Sequence, residues 1–289
     1  LNIDRIRTKI SLFTANFFKF LLFNLFMRYY WIEWMLPFHV TNLMLGASTW
    51  LFFGKSFEGT NPIYQQYGAD FISFLILGLM LNSLFSYTLD AFRIATLFTL
   101  RGRVGSMGQH LSMYDYVRLS GVPFSAPILA FVVDGYIEQF ITMLVYLCAG
   151  LLFGLKISGG NYAVALLGVC IGWLAVIGIG LISASMIMII GAWKGIEPIR
   201  WLVGVLTGLV SGVYFPFEVL PEGIQVVSRI LPQTYALRVA RLALLQGLGL
   251  SDLETDLGVL MLMVLILFPL GVALYKHSIN LLRVKTFVE

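Results

Sequence analysis

Asp134 and Glu138 stand four residues apart in an otherwise apolar run, so a helix there puts both carboxylates on one face. Ionised carboxylates at membrane depth are costly and must meet a polar cavity, a partner or the interface. Two readings stay open: a substrate or proton site, or a span that starts later and leaves both near its cytoplasmic end. Asp90 and Arg93 lie one helical turn apart and read as a self-neutralising pair at the inner interface. Gly54-Lys55-Ser56 imitates the end of a phosphate-binding loop, but the required upstream glycine is Thr49 and no strand precedes it. His39, His110 and His277 are scattered, without a ligand-spaced partner. No nucleophile–base pair can be picked out. Catalytic, metal and cofactor sites are therefore not expected in this chain.

The elements that carry these residues are set by composition. Of 289 residues, 59% are hydrophobic and 12% charged, against about 25% charged in a soluble domain. So little polar surface cannot coat a particle of this size in water, and the apolar runs are long enough to face lipid. No polar linker or low-complexity tract divides the chain, so one membrane domain over 1–289 is expected. The net charge of +4 suits anionic headgroups. Nucleic acid is not an expected partner, because no basic patch has polar surroundings. Cys148 and Cys170 sit inside apolar runs and read as small fillers. The chain opens at Leu1, so residues are expected to precede it, and its start does not read as a signal peptide.

Along the chain, residues 3–29 alternate apolar positions (Ile6, Ile10, Phe13, Phe17, Leu21) with polar ones (Arg5, Lys9, Asn16, Lys19) at helical spacing. An amphipathic helix lying in the interface is expected. Six spans are expected at about 31–53, 71–99, 126–153, 162–192, 199–214 and 257–275. Trp31, Trp34 and Trp50 suit interface anchors for the first. Gly204, Gly208 and Gly212 recur every fourth residue in the fifth, a bare face for close helix packing within the subunit or across a dimer. Between 217 and 250, interrupted by Pro221 and Pro232, the chain reads as short re-entrant helices. Broken structure at membrane depth survives only against protein or water. The fold class is an all-α membrane protein. The N-terminal helix, 93–118, 193–200 and the tail hold 14 of the 19 Lys and Arg residues. The positive-inside rule then places both termini in the cytoplasm.

Gly212-Val-Tyr-Phe-Pro-Phe-Glu-Val-Leu-Pro221, then Leu231-Pro-Gln-Thr-Tyr-Ala-Leu237, Arg241 and Gly247, resembles the C-terminal signature of type-2 ABC transporter permeases. The order of elements over nearly the whole chain is similar as well. The resemblance implies the transmembrane subunit of an ATP-driven exporter in the cell (inner) membrane, moving a drug, lipid or lipid-linked glycan, with the drug-export branch nearer than the polysaccharide branch. It implies a second permease copy and cytoplasmic ABC ATPase subunits that hold the ATP and Mg. Segment 101–120 would couple to the ATPase through Arg101, Arg103, His110, Tyr114, Asp115 and Arg118. Region 215–247 would form an external gate with Tyr214, Phe215, Pro216, Phe217, Leu220, Pro221, Pro232 and Tyr235. One departure stands in the coupling segment, where the family's Gly-Thr-x-Glu pattern reads Gly105-Ser106-Met107-Gly108. The alternative is an ion-coupled secondary transporter working through Asp134 and Glu138. Inverted repeats would favour it, and the sequence shows none. A membrane-embedded enzyme would need a cluster of His or acidic residues at one depth, which is also missing.

Overall fold

The computed structural model describes residues 3–57, 71–101, 113–155, 159–190 and 208–285. Eight α-helices are described: α1 (Ile3–Phe57), α2 (Phe71–Arg101), α3 (Met113–Leu119), α4 (Ser125–Leu152), α5 (Tyr162–Ile190), α6 (Glu222–Ile230), α7 (Pro232–Arg241) and α8 (Glu254–Lys285). No strand occurs among the described residues. Five segments are long and apolar enough to cross a membrane: Ile10–Tyr30, Phe71–Leu100, Ser125–Leu152, Tyr162–Ile189 and Glu254–Leu281. The chain is a multi-span helical membrane protein.

The long helices pack in the spatial order α1, α4, α2, α5, α8, and α7 lies on α5. α2 is the most buried of the spans, and Phe74, Leu75, Leu77 and Phe85 are almost fully enclosed there. α5 has no charged residue and is apolar all round, as a helix must be when lipid and protein share its faces.

The N-terminal region differs from expectation. The interfacial helix over 3–29 and the span over 31–53 are one unbroken α1 of 55 residues, about 82 Å at 1.5 Å per residue. Met27-Arg28-Tyr29-Tyr30-Trp31 contains no turn former, so nothing interrupts the backbone ladder where the break was expected. The part assigned to the interface, Ile10–Tyr30, is itself long enough to span.

The expected fifth span falls mostly outside the described residues. Its described end is helical only over 208–210. Gly212 has φ +84°, a left-handed backbone that ends a helix. Gly212 therefore belongs to a turn and shares no helix face with Gly208. Gly204 lies outside the described residues, and a Cβ on Gly208 would meet nothing within 4 Å.

Backbone-to-backbone packing occurs elsewhere. A Cβ on Gly271 would lie 2.4 Å from the Gly178 carbonyl oxygen, and one on Gly178 would lie 2.5 Å from that of Leu267. α5 and α8 thus cross with no side chain between them. Gly271→Val is expected to force them apart and cost about 2 kcal/mol, whereas Gly208→Ala should leave the single chain unaffected. Thermal unfolding of the two variants in detergent checks the contrast.

Candidate functional site

Among the described residues, two constellations link separate helices through charged side chains. The first builds on residues 208–253. After Val210 the chain turns through Gly212 and Tyr214, makes a 3₁₀ turn at Phe217–Val219, and returns as α6 and α7. Pro221 caps α6 and Pro232 opens α7, positions where a missing N–H costs nothing. A π-helical turn, Leu242–Gln246, ends at Gly247 with φ +71°. There a Cβ would lie 2.7 Å from the Gly159 carbonyl oxygen, and the Asn161 N–H donates to the Ala243 carbonyl at 2.7 Å. These contacts seat the turn on the start of α5.

Arg241 locks this region to the spans. It is 2% exposed. Nη1 donates to the Gly212 carbonyl at 2.5 Å, and Nη2 donates to the carbonyls of Val213 at 2.8 Å and Phe74 at 3.0 Å. The guanidinium also lies 3.4 Å from the centroid of the Phe74 ring. A buried charge is tolerated when it is hydrogen-bonded, and here Nη1 and Nη2 answer carbonyls of the turn at 212–213 and of α2, while Nε is buried with no hydrogen-bond partner among the described residues. Gly78 supplies the space, because a Cβ there would stand 2.1 Å from Nη2.

Of the expected gate residues, Tyr214 and Tyr235 pack on the main core beside Val213 and Ala236. Pro216 and Pro232 are buried, Leu220 is half-buried, and Phe215 and Pro221 are exposed. Phe217 lies under Arg238 at 5.5 Å, and Arg238 reaches Asp256 on α8 at 3.5 Å. Gln225 donates to the Leu220 carbonyl at 2.8 Å, and the Ser228 hydroxyl donates to that of Val210. The segment is one folded unit.

The second constellation joins α1 to α4. Arg28 Nη2 donates to Asp134 Oδ2 at 2.7 Å, Nε to Asp134 Oδ1 at 3.2 Å, and Nη1 to Glu138 Oε2 at 2.7 Å. One guanidinium thus forks onto Asp134 and reaches Glu138 as well, the planar geometry that distinguishes Arg from Lys. Asp134 lies about 14 Å into α4 and Glu138 about 20 Å, and Arg28 is the partner of both.

Sequence reasoning did not find Arg28. A lone cation in one apolar run and two carboxylates in another are each too costly alone, and that complementarity was the available signal. It also missed a neighbouring network. Trp173 Nε1 donates to the Tyr136 hydroxyl and to Thr88 Oγ1, both at 3.1 Å, and Tyr136 donates to Thr88 at 3.1 Å. These bonds tie α5, α4 and α2 together. The expected Asp90–Arg93 pair is present at 3.1 Å, with Arg93 2% exposed.

In the segment expected to couple to a partner, Arg101 is the last residue of α2, and Tyr114, Asp115 and Arg118 lie on α3. Arg103 and His110 lie outside the described residues. Arg118 is exposed and Val117 is buried, so α3 rests one side on the bundle.

No family model matches this chain, and no curated protein matches it in sequence.

Proposed function

We propose that this chain is the membrane subunit of an ATP-driven exporter, moving a hydrophobic or amphipathic substrate outward. One observation carries the reading. Between 208 and the last span the chain does not cross again but folds as broken helices, fastened to α2 by a buried arginine. The residues that build this unit are those of the permease-like pattern: Gly212, the aromatics at 214–217, Pro221, Pro232, Arg241 and Gly247. With no family match behind it, the reading rests on that pattern and on the fold.

The energy argument points the same way. The chain offers no phosphate-binding loop, and a ligand shifts a transporter only by its different affinity for two states. A cytoplasmic ATPase gripping α3 and the residues before it would supply that difference. The charge asymmetry along the chain supports placing both termini, and α3, in the cytoplasm of an inner-membrane protein. A second copy of the chain would complete the translocation path, with 215–247 as its outer gate. The carboxylates Asp134 and Glu138 are engaged by Arg28, which weighs against the ion-coupled alternative.

The test is whether a cytoplasmic ABC ATPase co-purifies with the chain. Proline at Tyr114 would be tolerated, because Tyr114 lies in the first turn of α3. Proline at Tyr116 breaks the helix, and Arg118→Glu reverses an exposed charge without breaking it. Both are expected to lose at least tenfold of the bound ATPase while the permease stays inserted. Wild-type co-purification of both would sink the assignment.

A further inference from the structure

A cavity of about 530 Å³ opens among α2, α4, α5 and α8. This is within the roughly 300–1,000 Å³ of small-molecule sites. Its walls are apolar, with Phe92, Ile128, Leu181 and Val272 among them. At one end stand Lys276 and Asn280, both exposed. The wall is held in place: the Tyr275 hydroxyl bonds Thr96 at 2.9 Å, and its ring meets Phe92 edge to face.

Depth gives the polar end its meaning. Lys276 lies about 33 Å along α8 from Glu254, roughly one hydrocarbon thickness. If Glu254 marks one headgroup layer, Lys276 marks the other. Val272 is one turn deeper, toward the bilayer centre. A cation at headgroup level above an apolar slot running inward matches a phospholipid in charge and direction. Lys276 makes no ion pair with any described residue.

We propose that this cavity binds an anionic phospholipid of the adjoining leaflet. Lys276 holds the phosphate, Asn280 donates to a headgroup oxygen, and one acyl chain runs past Val272 toward Ile128 and Leu181. The inference does not depend on the exporter reading, since it needs neither an ATPase nor transport.

The experiment is thermal unfolding of the full chain in neutral detergent with added phosphatidylglycerol or phosphatidylcholine. Phosphatidylglycerol is expected to raise Tm by about 3 °C more than phosphatidylcholine. Lys276→Gln should abolish that difference and Lys276→Arg should keep it. Val272→Phe, which fills the slot, should blunt the response to both lipids. Arg7→Gln, which removes an exposed cation from α1, should change nothing. An undiminished difference in Lys276→Gln, or a wild-type response in Val272→Phe, overturns the site. An equal loss in Arg7→Gln would assign the preference to diffuse surface charge and overturn it as well.

Discussion

Arg241→Met is expected to lower unfolding stability by about 3–5 kcal/mol, the range for removing one partner of a buried charged interaction. The side chain answers three carbonyls at once, those of Gly212, Val213 and Phe74. None can turn to water, because Arg241 and Val213 are buried against α2. Methionine fills much of the volume and leaves the turn carbonyls of Gly212 and Val213 unpaired, at roughly 1–3 kcal/mol each before relaxation, while that of Phe74 keeps its place in the helical ladder of α2. Lysine restores the charge but not the fork and should recover less than half of the loss. Gly78→Ala attacks the same joint from α2, since its Cβ would stand 2.4 Å from the Val213 oxygen. Because Gly212 and Val213 open the segment that returns as α6 and α7, the damage should be local at first. Limited proteolysis should cut 212–231 in Arg241→Met under conditions that leave wild type intact. A Tm within about 2 °C of wild type, with no new cleavage, would remove the anchoring role.

Much of the bundle was legible in the sequence, and the reason is the solvent. In lipid a spanning segment must satisfy its backbone internally, so long apolar runs such as 162–192 declare helices without help from packing. The short helices after 217 were legible for a different reason. Pro221, Pro232 and Gly247 are local signals, and they sit at the start of α6, the start of α7 and the end of the π turn. Choices among partners were not legible. The glycine spacing at 204, 208 and 212 reads as a packing face, yet the close crossing joins Gly178 and Gly271, glycines from two helices that no single-helix pattern pairs. The interfacial helix over 3–29 was read from its own periodicity. Whether such a helix lies flat or continues into the next segment depends on the residues at the junction and on what Arg28 meets on α4.

Replacing Arg28 with leucine is expected to cost about 3 kcal/mol, the lower end for a broken buried ion pair. It should also loosen α1 from α4. Asp134 is only 11% exposed in its side chain, and Glu138 and Arg28 about a quarter. That burial limits how far water can soften the loss. What decides function is the triple variant Arg28→Gln, Asp134→Asn, Glu138→Gln. If the three charges serve as a clasp, removing all of them together should restore most of the stability lost in Arg28→Leu, because no charge is left uncompensated. Amide side chains can still bond across the same gap. Transport by the triple variant should then persist and should not respond to an uncoupler. If instead the carboxylates relay protons or bind a coupling ion, the triple variant would be stable but inert, and the wild type would stop when the ion gradient is collapsed. Thermal unfolding and uptake into inverted vesicles separate the two. An exporter driven by a separate ATPase can lose all three charges and still pump, and an ion-coupled carrier cannot.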